Sequence, residues 1–162
     1  MSGNRSPTSA LLGLLLLIVL SPLIVAALLL WVAALLLWLV ARVNLYMLVW
    51  LLWCTRGKDV LFVYSDSPIW HDHIEEHIIP RIEARSIILN WSDRRHWLHG
   101  LTLSSFVFRH FGGTREFNPL AVYFRPFRRH RTFRFWQPFQ DWKHGKPAGL
   151  NQLENDFFRC IG

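Results

Sequence analysis

The first third of the chain is almost without charge. All eleven acidic residues and all eight histidines follow Arg56. Between Ala10 and Cys54 the only polar side chains are those of Ser21, Arg42, Asn44 and Tyr46. A stretch so poor in polar groups is typical of a membrane segment, and it exceeds the roughly 20 helical residues that span a bilayer core. We therefore expect a polar tail at 1–9 and an apolar membrane anchor at 10–54.

Cysteine is also scarce, since the chain has two, Cys54 and Cys160. Their spacing excludes a disulfide framework and a paired metal-ligand motif. It indicates two unpaired thiols in a reducing compartment. Whether Cys54 carries a lipid stays open. No cofactor is predicted, because the turn after the first predicted strand, SDSP, is neither a dinucleotide fingerprint nor a phosphate-binding loop.

The anchor is long enough to allow two arrangements. In the one we favour, a single tilted or Pro22-kinked helix spans the membrane over about 10–41, and residues 43–54 lie at the interface. Tyr46, Trp50 and Trp53 would hold that interfacial segment. The alternative is a hairpin of two spans turning near Trp31. It puts Arg42 near mid-membrane, at a cost of about 2.5–3.5 kcal/mol.

Charge predicts which side the rest of the chain occupies. Arg56 and Lys58 directly follow the apolar segment, whereas the N-terminal tail carries only Arg5. Because basic residues flanking a span favour the cytoplasmic side, we expect residues 57–162 to form a cytoplasmic domain. The protein would then be integral to the plasma (inner) membrane.

The pattern after residue 57 alternates between strand and helix signals. Strands are predicted at 59–67, 86–91, 120–124 and 132–136. Helices are predicted from Pro68 to about Ile82, where Trp70, Ile74, Ile78 and Ile82 form one apolar stripe. Further helices are predicted at 98–111, 137–144 and 148–160. Strands alternating with helices indicate a small α/β domain with a three- or four-stranded, mostly parallel sheet.

Polar side chains follow several of these strands. Ser65, Asp66 and Ser67 end the first, Asn90 ends the second, and Arg125 ends the third. Ligands of open α/β sheets bind beyond the C-terminal strand ends, so these five residues are our ligand-binding candidates. The alternative is that Ser67 simply caps the helix that follows it.

His73 and His77 are four residues apart, the spacing of two zinc ligands on one helix face. The segment His73–His77 also matches the H-x-x-E-H motif of inverted zinc peptidases. No third ligand is evident, so we predict no metal site and keep His73 and His77 as the alternative.

The most distinctive polar feature is the basic, aromatic run at 125–136, RPFRRHRTFRFW. From Arg115 to Lys146 there are eight basic and two acidic residues, a net charge of 8 − 2 = +6. Anionic lipid headgroups attract such residues. We expect four arginines to contact the membrane surface or an anionic partner: Arg128, Arg129, Arg131 and Arg134. Single-stranded nucleic acid, the other usual ligand of such runs, is disfavoured by the membrane tether.

Two function hypotheses follow. The first is a membrane-anchored binding or interaction module whose basic aromatic surface meets lipid headgroups, an acidic protein or another anionic ligand. The second is a small α/β enzyme acting on a phosphorylated or lipid-linked substrate, with Asp66, Asn90 and Arg125 in its pocket. No motif names a reaction, so whether the protein is an enzyme stays open.

Overall fold

The computed structural model describes residues 7–113, 118–125 and 128–162, with side chains from residue 19 onward. Residues 1–6 of the predicted tail and Pro126-Phe127 of the basic run lie outside the described residues. The chain forms two compact units, Met1–Val43 and Asn44–Gly162.

Helix α1 runs from Pro7 to Leu52. Leucine, alanine and valine dominate it, and an 18-residue window within Val19–Arg56 reaches a mean hydropathy of 2.9. By length and composition α1 can cross a membrane, and no other helix among the described residues passes that test. It continues without a turn past Trp31, so the hairpin alternative is wrong. Continuous helical backbone hydrogen bonding is expected there, because no polar or glycine-rich turn interrupts the run.

The last turns of α1 belong to the C-terminal unit. Leu45, Val49 and Trp53 repeat every four residues, and all three are buried in a core cluster with strand and helix side chains. Our predicted interfacial segment 43–54 therefore has one face that packs on protein. Its lipid contact stays a prediction for the exposed face, which carries Met47, Leu48, Leu51 and Leu52.

A short 3₁₀ turn, Cys54–Arg56, ends this helical segment. Gly57 follows with φ of 73°, a left-handed conformation that glycine adopts without a steric penalty. Its N–H donates to the Cys54 carbonyl at 3.1 Å. The turn redirects the chain into the first strand.

The sheet has four strands, β1 (Val60–Tyr64), β2 (Ser86–Asn90), β3 (Leu120–Tyr123) and β4 (Arg131–Arg134). Their order is β2-β1-β3-β4. The β1–β2 pair is parallel, with Val60 opposite Ser86. The β1–β3 and β3–β4 pairs are antiparallel. The domain is thus a mixed-sheet domain with helices, and the predicted mostly parallel sheet is wrong.

The direction of β3 explains this error. Leu120 pairs with Val63, so β3 starts at the end of the sheet where β1 finishes. Only residues 124–130 then join β3 to β4. A parallel crossover needs a dozen or more residues, so a link of this length closes an antiparallel pair.

Helices cover both faces of the sheet. On the face that we call the α5 face, Leu61 and Val63 pack with the end of α1 and with α5 (Leu103–Phe111). The predicted helix at 98–111 corresponds to α5, which begins five residues later than predicted, at Leu103, and ends at Phe111. A short helix α4 (Arg94–Trp97), which was not predicted, precedes it, and residues 98–102 separate the two.

The other face, which we call the α7 face, is made by Val60, Phe62 and Tyr64 of β1. The two stretches of chain that cover this face contain four helices: α2 (His71–His73), α3 (Ile79–Ile82), α6 (Trp136–Lys143) and α7 (Ala148–Ile161). A π-helical segment, Ile74–Ile78, joins α2 to α3, and a 3₁₀ turn, Glu83–Arg85, follows α3. The predicted stripe Trp70, Ile74, Ile78 and Ile82 is confirmed, since all four side chains are buried in this core.

Candidate functional site

Two of the predicted ligand-binding residues meet at the C-terminal ends of β1 and β2. The Asn90 side-chain amide donates to Asp66 Oδ1 at 2.7 Å. The Asp66 backbone N–H donates to Ser92 Oγ at 3.1 Å. Parallel pairing of β1 with β2 causes this meeting, because it aligns Tyr64 with Asn90 and carries both chains out of the sheet at one end.

His71 completes this cluster, although the sequence alone could not place it there. Its Nδ1 lies 3.8 Å from Asp66 Oδ1, and its ring stacks on that of Tyr64 at 6.2 Å with an interplanar angle of 18°. Nδ1 is buried and makes no hydrogen bond with the described residues, while the side chain as a whole is 38% exposed. One ring nitrogen of His71 thus lies near a carboxylate, and the rest of the ring is accessible to solvent. This arrangement is suited to acid–base chemistry.

The ring of Tyr64 supports that of His71 by stacking against it. Its hydroxyl donates a hydrogen bond to Glu75. Burial, and then the hydrogen bond and charge of Glu75, raise the pKa of Tyr64 well above its ordinary value. Tyr64 is therefore a neutral hydrogen-bond donor, not an anion, over the whole physiological range.

Ser65 and Ser67 have structural contacts. The Ser65 hydroxyl donates to Asn118 Oδ1 at 2.8 Å. The Ser67 carbonyl accepts from the N–H groups of Trp70 and His71 at 3.2 and 2.9 Å. Ser67 thus opens the helical segment that starts at α2, and both serines hold the loop that carries Asp66.

Arg125 lies at the other end of the sheet. Because β3 runs against β1, the N–H of Phe124 donates to the carbonyl of Asp59, just before β1 begins, at 2.8 Å. The Arg125 guanidinium sits 5.7 Å from the Tyr123 ring centroid. The structure therefore does not bring Arg125 together with Asp66 and Asn90, and the predicted three-residue pocket is not assembled.

The four arginines of the predicted anionic surface lie on β4 or just before it. All are exposed, and β4 is an edge strand. The two on the strand point to different faces: Arg131 donates to Cys160 Sγ of α7 at 2.7 Å, and Arg134 donates to the Gly112 carbonyl, after α5, at 2.9 Å. We call this set, Arg128, Arg129, Arg131 and Arg134, the β4 edge.

His130 connects the β4 edge to α1. Its Nδ1 hydrogen-bonds the Tyr46 hydroxyl, and its backbone N–H donates to the same oxygen at 3.4 Å. Phe111 packs against both rings, with centroids 4.8 Å from that of Tyr46 and 4.8 Å from that of His130. Sequence reasoning assigned Tyr46 to the membrane interface and missed this contact, since nothing in the local sequence links residues 84 positions apart.

His73 and His77 lie on the α7 face with their rings stacked at 4.7 Å and 13°. His73 Nε2 lies 2.7 Å from Glu154 Oε1 of α7. Within the described parts of the chain, no three His, Cys, Asp or Glu side chains are grouped to hold a metal ion. The contact with Glu154 gives His73 a structural partner across the two helices.

No protein-family model matches this chain, and neither a curated protein nor a solved structure is detectably similar to it.

Proposed function

We propose that this protein is an integral protein of the plasma (inner) membrane and that its C-terminal unit is a cytoplasmic binding module for anionic lipid headgroups. The length and apolar composition of α1 support the anchor. Arg56 and Lys58 directly after it support the cytoplasmic placement.

One observation carries the headgroup assignment, the hydrogen bond between Tyr46 and His130. Tyr46 is only three residues beyond Val43, the last residue of the apolar unit. His130 directly follows Arg129. The bond therefore holds Arg128 and Arg129 close in space to the part of the chain that leaves the apolar unit. Each arginine near an anionic leaflet contributes about 1 kcal/mol of attraction.

A charge-matched pair of double variants tests this proposal. Arg128→Gln/Arg129→Gln removes two exposed charges beside His130, whereas Arg94→Gln/Arg95→Gln removes two exposed charges in α4, after β2. The Tm of the full chain in neutral detergent is followed as phosphatidylglycerol is added. We expect the Tm to rise for the wild type and the α4 variant, because a ligand that binds the native state stabilises it. An equal rise in the Arg128/Arg129 variant contradicts the proposal.

The cytoplasmic placement has its own test. A reporter enzyme that is active only in the cytoplasm is fused after Gly162 and should be active. A second fusion, to a reporter active only outside the cytoplasm, should be silent. The reverse pattern overturns the orientation and leaves the anchor itself untouched.

The contact of His71 with Asp66 favours a second candidate function, an acid–base enzyme acting on a phosphorylated or lipid-linked substrate. Asp66 would place a carboxylate 3.8 Å from the imidazole Nδ1, and the hydrogen bond from Asn90 would fix that carboxylate. The Asp66→Asn variant and the His71→Gln variant should each fail to complement the loss of the wild-type protein in cells. The Tm of each purified variant should equal that of the wild type. Retained function in both variants rejects the enzyme.

A further inference from the structure

The α7 face carries a surface groove that is separate from both candidate sites described above. It is lined by Pro68, Ile69, Trp142 and Lys143 and has a volume of about 320 Å³. Three of these residues, Pro68, Trp142 and Lys143, are exposed, so the groove opens to solvent. Small-molecule sites in proteins are commonly clefts of this size with mostly apolar walls and a few polar groups.

Both walls of the groove rest on one buried ring, that of Phe139 in α6. Trp70, which directly follows the Pro68-Ile69 wall, has its ring centroid 6.0 Å from that of Phe139. The ring of Trp142, in the opposite wall, lies 6.1 Å from the same ring with an interplanar angle of 79°. The core therefore sets the spacing of the walls.

Further contacts fix each wall in place. On the first side, the indole N–H of Trp70 donates to the Ser65 carbonyl at 3.1 Å. On the second side, the ring of His73 lies 5.5 Å from that of Trp142, and His73 Nε2 lies 2.7 Å from Glu154 Oε1. The groove is thus preformed, and a ligand that enters it loses little free energy to the ordering of protein groups.

The volume and the walls indicate a flat ligand of two rings. A cavity of about 150 Å³ holds one benzene ring, so a groove of about 320 Å³ has room for two. Trp142 supplies an aromatic wall, and contacts between aromatic rings are favoured beyond the area that they bury. A rigid ring system also loses less conformational freedom on binding than an acyl chain of similar volume. The groove therefore favours an aromatic ligand over a lipid chain.

The charge of the lining indicates an anion. Of the four lining residues Lys143 alone is charged, and it forms no ion pair with the residues that the structure describes. Residues 143–153 also contain Lys146 and no acidic residue. One exposed ammonium matches a single negative charge, because a phosphate dianion is ordinarily held by several N–H donors or by an arginine fork.

We propose that this groove binds a small two-ring aromatic carboxylate. Its rings lie between Pro68 and Trp142, and its carboxylate pairs with Lys143 while it stays in contact with water. The site uses neither the arginines of the β4 edge nor His71. It is thus a binding activity beyond the two proposed functions, and its test can fail while either of them holds.

Fluorine NMR of the full chain in an uncharged detergent tests the proposal. All nine tryptophans are replaced by 5-fluorotryptophan, and the resonance of Trp142 is identified by its loss in Trp142→Phe. The probe is naphthalene-2-carboxylate. We expect the Trp142 resonance to shift saturably, with half-saturation at about 1 mM or below, as usual ligand efficiencies give for a two-ring molecule. The resonance of Trp91, which packs on the α5 face, should not shift.

Two analogues of the probe define the ligand class. Naphthalene-2-carboxamide keeps the rings without the charge and should bind about threefold more weakly, in line with the loss of an exposed ion pair. Decahydronaphthalene-2-carboxylate keeps the charge without the aromatic rings and should bind about fivefold more weakly. In Lys143→Gln the carboxylate and the amide should bind equally. Lys146→Gln, which removes an exposed charge outside the lining, should keep the threefold preference.

Two variants block the groove from opposite sides. Pro68→Glu and Lys143→Glu each place a carboxylate where the ligand binds, and each should weaken binding of naphthalene-2-carboxylate at least about tenfold. The use of both guards against a folding defect in one. Asn151→Glu puts the same side chain at an exposed position of α7 outside the lining and should bind like the wild type.

Four results would overturn the proposal. The first is a Trp142 resonance that does not move, and the second is a shift of all tryptophan resonances together, which shows ligand dissolved in the micelle. The third is a wild type that binds either analogue as tightly as naphthalene-2-carboxylate. The fourth is unchanged binding in both Pro68→Glu and Lys143→Glu.

Discussion

The hydroxyl of Tyr46, in the last turns of α1, is hydrogen-bonded to Nδ1 of His130, the residue immediately before β4. This bond and the burial of Leu45, Val49 and Trp53 make the end of α1 part of the C-terminal core. The folded unit therefore begins at Asn44, well before the position 57 at which the sequence shows a change in composition.

The Tyr46–His130 bond should be measurable as a coupling energy. Tyr46→Phe keeps the ring contact with Phe111 and removes only the hydroxyl, so we expect a loss of about 1 kcal/mol in the free energy of unfolding. His130→Gln and the double variant complete the cycle. A double variant whose loss equals the sum of the two single losses would show that the residues do not interact.

The same valine-to-alanine substitution at two positions of α1 distinguishes a residue of the C-terminal core from a residue of the membrane anchor. Val49 is fully buried in the C-terminal core, whereas Val43 is 53% exposed. Val49→Ala should lower the free energy of unfolding by about 2 kcal/mol, through lost apolar burial and the cavity left behind. Val43→Ala, the same change six residues earlier, should leave it within about 0.5 kcal/mol. Denaturant unfolding of the full chain in detergent compares the two, and equal effects would refute the assignment of Val49 to the core.

Because of Tyr64, the free energy of unfolding should decrease as pH rises in the alkaline range. Its pKa is raised in the folded state, so the folded protein keeps the phenol proton at a pH where the unfolded chain releases it. This difference in proton binding stabilises the folded state. The stabilisation is fully present below the ordinary tyrosine pKa of about 10 and is lost as pH rises above that value. Tyr64→Phe should be less stable than the wild type at pH 8, and the gap should narrow toward pH 11. A gap that is constant across this range contradicts the prediction.

Much of the fold follows from local sequence patterns. Three of the four strands and the two closing helices lie within one or two residues of their predicted positions, because β-branched runs, helical apolar periodicity and Gly/Pro breaks are local signals. The first strand ends at Tyr64, three residues before its predicted end at Ser67. Strand direction is not local. The seven residues between Tyr123 and Arg131 are too few for a parallel crossover, and this length was the available signal for an antiparallel pair.

The candidate site was predictable only in part. Asp66 and Asn90 end neighbouring parallel strands, so their meeting follows from the strand assignment alone. Arg125 was misplaced because its position depends on the direction of β3. The contacts of His71 with Asp66 and of Tyr46 with His130 depend on tertiary packing, which no spacing rule specifies.

The proposed headgroup binding requires Arg128 and Arg129 of the β4 edge to lie against the bilayer, and lipid quenching at chosen positions measures this placement. Cys54 and Cys160 are replaced by serine, and one fluorophore is attached at Arg129→Cys or, as the matched control, at Arg95→Cys. The full chain is placed in bilayers that carry a nitroxide on the lipid headgroup. We predict strong quenching at position 129 and little at position 95. Equal quenching at the two positions, or stronger quenching at 95, would contradict the account.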